Sequence, residues 1–478
     1  MRLSHRLSTA IAMAATGAFA IAAPGAAAAS AAAGAGHRSP IVSQHAAAVP
    51  GGTQLWAQRF GGAHLTAYAT SVAASPDKSA VYVTGFTVKS TGLRDYVTAA
   101  YSAATGAQLW RSRYQGTVNH PRGDTSADIP SITVSPDGST VFVAGDLAHG
   151  TYRNSYLILA YNAATGAQAW VAGYGDASIA GFRAVAVSPD SATVFVTGTQ
   201  DRVGGSAFRS YLTVALDAST GNQLWMAQTV FPRFVPHTVT SIAVSPDGSK
   251  VFVGGSSGTV AYDAATGAQL WLDRYKLAWE RFLVSLAVSP DSATVYVTSG
   301  SSTPTTVRHY WTAAISAVTG AKLWQATYHG AGTAVKIGTT SLALSPDGSA
   351  VYVTGTANAN EYTTIAYAAA TGKQLWLAQS PNKGDTGTPA FIAASPDGSK
   401  VAVTGSSAQA NGQLGYETAA FAAGTGARLW TAAYQGPGGE PSSPAGIVFS
   451  HTGARVIVTG SSGPSGGPSE YATVGYQS

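Results

Sequence analysis

Short apolar runs rich in Val, Tyr, Phe and Ile recur along the chain between turn signals, without the 3.6-residue spacing of a helix facing a core. The clearest are VYVTG, VFVAG, VFVTG, VFVGG, VYVTS, VYVTG, VAVTG and VIVTG. Each ends ten residues after a serine: Ser75, Ser135, Ser188, Ser245, Ser289, Ser345 and Ser395, all in Ser-Pro-Asp, and Ser450 in the degenerate Ser450-His451-Thr452-Gly453. Proline at the second position fixes φ and aspartate bonds its own backbone, so these are turns. A second apolar run, such as SIAVS or SLALS, precedes the serine, and the pair predicts a β-hairpin.

A second marker is tryptophan, at Trp56, Trp110, Trp170, Trp225, Trp271, Trp324, Trp376 and Trp430, usually ending Thr-Gly-x-x-Leu-Trp. Glycine there supplies the positive φ of a hairpin turn. Fourteen residues before six of them stands a tyrosine, Tyr96, Tyr156, Tyr211, Tyr310, Tyr362 or Tyr416. It opens a third strand such as YVTAAY or YLILAY, and the tryptophan segment, as in AQLWRSRY, is the fourth. These strands do not alternate cleanly between apolar and polar, which implies sheets buried on both faces. The repeat length falls in the range of about 40–50 residues typical of propeller blades. The predicted fold is all-β: an eight-bladed β-propeller of four-stranded antiparallel blades.

Two loose ends complement each other. Residues 53–60, TQLWAQRF, have no upstream blade, and the last unit ends just after its third strand, YATVGY. The N-terminal strand is therefore expected to complete the last blade, which removes free sheet edges.

Before the repeats, Arg2 and Arg6, the apolar run Leu7 to Ala23 and the small residues Pro24 to Ser30 have the form of a secretory signal peptide cut near Ala29. The domain reading is residues 1–29 as signal peptide, 30–50 as a flexible Ala/Gly-rich linker and 51–478 as the propeller, with a secreted, extracellular location. An exported protein is allowed disulfides, yet this chain has no cysteine, so packing must supply its stability. The net charge is +5, of which Arg2 and Arg6 contribute two, and no basic stripe stands out. Nucleic acid is not an expected partner, nor is an integral membrane contact, and a monomer is expected.

The repeated aromatics are expected to pack blade on blade. A buried tryptophan removes roughly 150–250 Å² from water, worth about 4–6 kcal/mol gross. Trp279 and Trp311 fall outside the series and are freer to meet a ligand. Insertions concentrate in the second-to-third-strand and blade-to-blade connections, which share one face, while the constant Ser-Pro-Asp and Thr-Gly turns share the other. Variable loops on a rigid scaffold carry binding residues. The binding candidates on that face are Arg94, Asp95, Arg153, Arg209, Trp279, Arg281, Arg308, His309, Trp311, Glu361 and Glu417, beside Asp146 and Glu470. A solvated rim is the simpler reading, because loops of any soluble protein are polar.

Catalytic patterns are sparse. Gly254 to Gly258 fits G-x-S-x-G, but within a hairpin instead of the strand-to-helix elbow that exposes a nucleophile. Histidines lack metal-ligand spacing. Asp124 and Asp128 are the nearest approach to a calcium site.

The segments ALDASTGNQLW (Ala215 to Trp225) and AYDAATGAQLW (Ala261 to Trp271) resemble the tryptophan-docking repeat of quinoprotein alcohol dehydrogenases, whose eight-bladed propeller binds pyrroloquinoline quinone. The hairpins SPDGSKVFVGG and SPDGSAVYVTG resemble the YVTN repeat of WD40-like surface and secreted propellers. Together the two PQQ-like and YVTN resemblances cover nearly all of Gly51 to Ser478 and imply a bacterial, secreted propeller. The quinoprotein enzymes carry an adjacent cysteine pair that this chain lacks, and the motif aspartate is replaced by Ser102, Asn162, Ser316, Ala368 and Ala422. The leading expectation is a non-catalytic propeller, without cofactor, that binds a protein, peptide or cell-envelope glycan through its variable face. The alternatives are a channel-mouth enzyme, such as a quinone-dependent dehydrogenase (with pyrroloquinoline quinone or calcium) or a polysaccharide lyase, and an envelope-assembly scaffold.

Overall fold

A computed structural model of the protein describes residues 49–478 apart from residue 78 and the segments 62–65, 90–93, 119–129, 149–153, 202–208, 232–237, 276–283, 302–308, 330–340, 359–360, 382–389 and 465–466. The expected signal peptide and nearly all of the expected linker lie outside the described residues. The described chain forms eight four-stranded antiparallel blades in a ring. Blade 1 runs Thr66–Ala74, Ala80–Val88, Arg94–Ser102 and Gln108–Val118. First strands of neighbouring blades touch around the axis, and the tryptophan strands form the outer wall. The described residues contain no α-helix, only a single 3-10 turn at Pro437–Gly439.

One detail departs from eight separate sheets. Strand Gln168–Val187 ends blade 2 and begins blade 3 without a break, joining the two blades into one seven-stranded sheet. The connection from Trp170 to Ser188 is among the shortest in the chain, and it stays extended.

The last blade is composite. Strand Gln54–Phe60 pairs antiparallel with Glu470–Gln477, with Trp56 opposite Gly475 and Phe60 opposite Tyr471. The expected closure is therefore observed, and the sheet order runs from the N-terminal strand inward to Ser442–Phe449.

Each Ser-Pro-Asp turn is closed by its own side chains. The Ser135 hydroxyl accepts the N–H of Thr140 at 2.9 Å, and Asp137 Oδ1 accepts the N–H of Ser139 at 2.9 Å. Each tryptophan strand carries a β-bulge at the preceding residue: Ala100 faces Trp110 and Tyr101 faces Gln108, which leaves Leu109 unpaired and half-exposed. The bulge turns the indole onto the next blade. Trp110 Nε1 donates to the Ala163 carbonyl at 2.8 Å, and a Cβ on Gly166 would lie 2.5 Å from the ring. Corresponding bonds join Trp170 to Ala218, Trp225 to Ala264, Trp271 to Ala317, Trp324 to Ala369 and Trp376 to Ala423. Trp56 and Trp430 pack the same way, over Gly106 and over Gly51 and Gly52.

One set of buried threonine hydroxyls is paired across the second and third strands. Thr84 and Thr98 meet at 3.1 Å, as do Thr197 with Thr213 and Thr298 with Thr312. Blade 2 replaces both members together, with Ala144 opposite Ile158, so no hydroxyl is left alone there.

Candidate functional site

Strand direction sets the two faces: second strands end, third strands begin and first strands begin on the variable face, while the Ser-Pro-Asp turns open on the other. Of the sequence-derived candidates, Arg153, Trp279, Arg281 and Arg308 lie outside the described residues. Arg209, His309 and Glu361 each open a third strand. Glu417 is half-buried inside its strand.

Three candidates sit deeper than expected. Arg94 and Asp95 are buried instead of standing on a solvated rim, because the third strand of blade 1 already begins at Arg94 and its neighbours cover it. Asp95 Oδ2 receives Lys89 Nζ at 3.1 Å, Arg113 Nε at 2.7 Å and Arg113 Nη2. The Arg94 guanidinium lies 4.7 Å over the Phe86 ring, a cation–π contact. Trp311 is half-buried and meets Tyr275 edge to face at 5.2 Å, so it is packing material of the blade 4–5 seam and not a free aromatic.

Asp95, with Lys89 and Arg113, faces the seam between blades 8 and 1, whereas Arg94, its neighbour on the strand, faces blade 2. Arg59 reaches Glu440 at 2.8 Å and Glu470 at 3.0 Å, and exposed Arg111 lies 4.5 Å over Phe60, which meets Tyr471 edge to face. Among the described residues, Lys89 and Arg113 thus meet Asp95 beside Arg111 on the stacked rings of the blade 8–1 seam, while Arg59 turns to the blade 7 side of its strand with Glu440 and Glu470. Sequence reading missed Arg59, Arg111 and Arg113, because residues of a fourth strand read as plain outer wall.

A second charged group lies at the variable-face mouth of the channel. The fully buried Asp146 carboxylate accepts the Phe182 N–H, and a Cβ on Gly181 would touch both Asp146 Oδ2 at 3.3 Å and Arg183 Nη1 at 3.1 Å. Arg183 is the extra residue of a bulge in the first strand of blade 3, a device that re-aims a side chain. Burial holds the neighbouring Tyr156 hydroxyl well above its ordinary pKa, assisted by Asp146 and opposed by Arg183.

At the opposite end of the channel lies an apolar cavity of about 180 Å³, bordered by the first strands and turns of blades 1, 2, 6, 7 and 8. The G-x-S-x-G segment is a two-residue hairpin loop: Ser256 Oγ accepts Thr238 N–H at 3.0 Å, and Ser257 N–H donates to the Tyr211 hydroxyl at 2.9 Å.

The family model described as "Outer membrane protein assembly factor BamB", a PQQ-like propeller repeat family, matches residues 41–310 and 213–463. The chain belongs to this family. No curated protein is detectably similar to it in sequence. Among solved structures it is similar to Chaetomium thermophilum Sqt1 bound to the N-terminus of the ribosomal protein L10, at 14% identity over 88% of this chain and 98% of that one, with a TM-score of 0.54. Others are BamB from Moraxella catarrhalis (15% identity, 89% of this chain, 99% of that chain, TM-score 0.49) and quinohemoprotein alcohol dehydrogenase from Comamonas testosteroni (13%, 88%, 76%, 0.48). The Sqt1 likeness shows a shared fold.

Membership of a PQQ-like family raises the question of the quinone itself. Pyrroloquinoline quinone carries three carboxylates, and the axial cavity would meet them with apolar side chains inside a ring of turn aspartates. The residues described there do not fit that cofactor. Among the described residues no three His, Cys, Asp or Glu side chains gather as a metal site.

Proposed function

We propose that this protein is a non-catalytic propeller of the bacterial cell envelope, exported by residues 1–29 and acting as a monomer, that holds a protein or peptide partner on its variable-loop face. The observation that carries this reading is the basic, ring-stacked seam of blades 8 and 1, where exposed Arg111 lies over Phe60, at the variable-face end of its strand, beside Arg113. Arginine on aromatic rings is the composition of interface anchors, and its surplus charge suits an acidic segment. Two comparisons support it: the family description names an assembly factor, and Sqt1 is seen bound to the end of another protein.

The test is capture of envelope components by residues 30–478 and by the variants Arg111→Glu and Lys373→Glu, the latter on the opposite face. Loss of a specific band, at least tenfold, with Arg111→Glu alone supports the assignment. Equal capture by both variants overturns it. Capture that survives protease treatment of the envelope fraction identifies the partner as a glycan.

A further inference from the structure

We infer that the channel mouth opposite the variable loops is a separate binding site for a small organic cation with an apolar body. The cavity there, about 180 Å³, is lined by Val72, Leu342, Ile392, Ile447 and Phe449, with Pro76, Pro396 and His451 at its lip. That is enough for a phenyl or short alkyl group, since an apolar cavity of about 150 Å³ holds benzene.

The charge of the occupant follows from what surrounds the mouth. The first turn of every blade opens beside the axis, and seven of these turns carry an aspartate: Asp77, Asp137, Asp190, Asp247, Asp291, Asp347 and Asp397. Asp77 and Asp397 directly follow the lip residues Pro76 and Pro396. Each carboxyl is held below the ordinary carboxylate range, in Asp77 and Asp397 chiefly by the hydrogen bond from the turn serine. The carboxylates are thus ionised and fixed in direction by their turns. Among the described residues, the basic side chains of this face include Lys250, Lys400, Arg455, Lys322 and Arg428, which open second and fourth strands farther from the axis, and Lys373, which precedes one; Lys250 and Lys400 help hold Asp247 and Asp397 ionised. Carboxylates fixed in the turns that adjoin an apolar, low-dielectric mouth concentrate the opposite ion there. An apolar floor with such a rim matches an arylalkyl or alkyl ammonium and disfavours a carboxylate of the same shape.

The experiment compares 2-phenylethylamine, 2-phenylethanol and 3-phenylpropanoate by saturation-transfer NMR and calorimetry on residues 30–478. The amine is expected to bind at least tenfold more tightly than either isostere. Ala74→Leu, which adds bulk to a residue lining the cavity, should abolish binding. Asp77→Asn with Asp397→Asn keeps the acceptor oxygen of each turn, so the fold is retained while amine affinity falls at least threefold. The double variant keeps the question answerable should Ala74→Leu fail to fold. Equal binding of all three probes, unchanged amine binding in the double variant, or no binding of any probe would overturn the assignment.

Discussion

The N–H of Gly52 donates to the carbonyl of Gln477 at 2.8 Å, and the N–H of Gln477 returns a bond to the Thr53 carbonyl at 2.9 Å. In the unbroken turn of blade 2 the same two bonds run from Gly166 to Asn162 and from Asn162 to Ala167, each at 2.8 Å. Gly52 has φ +79° and Gly166 +71°. The two ends of the described chain therefore rebuild the Thr-Gly turn that every other blade makes continuously, and the edge of Glu470–Gln477 is covered.

A circular permutant follows from that geometry. Ser478 N–H bonds Ala454 as Ala163 N–H bonds Ser139, so linking Ser478 directly to Pro50 gives a turn of the same length as Asn162 to Ala167. A chain joined there, beginning at Thr165 and ending at Ala164, is expected to fold with a melting temperature within a few degrees of the parent. Deletion of residues 51–60 exposes the backbone edge of Glu470–Gln477 and should unfold or aggregate the protein. Circular dichroism melting with size-exclusion chromatography measures both; an aggregating permutant beside a well-behaved deletion would refute the closure argument.

A tyrosine–glycine contact around the ring yields the next prediction. The hydroxyl of Tyr156 in blade 2 would lie 2.7 Å from a Cβ on Gly198 in blade 3, where the Gly181 carbonyl is closer still at 2.3 Å. Tyr471, Tyr96, Tyr211, Tyr362 and Tyr416 meet Gly85, Gly145, Gly255, Gly405 and Gly460 in the same way. Blade 4 has Ser257 at the tyrosine position, and the blade after it carries Ser299 in place of the glycine. There the first strand pairs without the bulge that accompanies Gly85, Gly198, Gly255 and Gly460. Gly198→Ala should cost about 1–3 kcal/mol or more by overpacking, and Ser299→Ala about 1 kcal/mol or less. Urea unfolding of the two variants separates the cases, and equal costs would contradict the contact rule.

That rule marks the boundary of what the sequence discloses. Hairpins, tryptophan strands and closure were readable because each signal recurs around the ring, so no single copy has to carry the inference. Even the coupling of Ser257 to Ser299 was visible in the letters, but it connects residues of successive blades and has no meaning until the blades are stacked. Contacts made once left no trace. Nothing in the spacing announces that Arg113, on a fourth strand, reaches back to bury Asp95, or that Tyr275 covers Trp311. The exposed-loop rule that placed Arg94 and Asp95 on the rim failed because one strand began a few residues early.

The tryptophan bonds can be separated from tryptophan bulk. Trp110→Phe keeps most of the ring in its slot over Gly166 and leaves the Ala163 carbonyl only the Tyr82 hydroxyl, at 3.2 Å, as donor, so the lost indole bond costs about 0.5–1.5 kcal/mol. Trp110→Ala opens a cavity as well and should cost about 3–5 kcal/mol. Denaturant midpoints decide it: if phenylalanine were neutral, packing alone would explain the repeat.

Acid should weaken the ring through the same turns that surround the axial mouth. In Asp77, Asp190, Asp291, Asp347 and Asp397 the hydrogen bond from the turn serine is the largest cause that lowers the folded pKa below the ordinary value of 3.8. The unfolded chain then binds protons more readily than the folded one, so stability rises with pH across that window. The contribution is complete above about pH 5 and is lost as pH falls through the folded values. These carboxylates stand largely in solvent, so each is worth little and salt screens it, but several act together. Replacing Asp190, Asp291 and Asp347 by asparagine keeps the turn acceptor and removes the titration. Their triple variant should lose less stability than the parent between about pH 6 and about pH 3, measured as the shift in urea midpoint at low salt. Parallel shifts in the two proteins would assign acid sensitivity to other carboxylates.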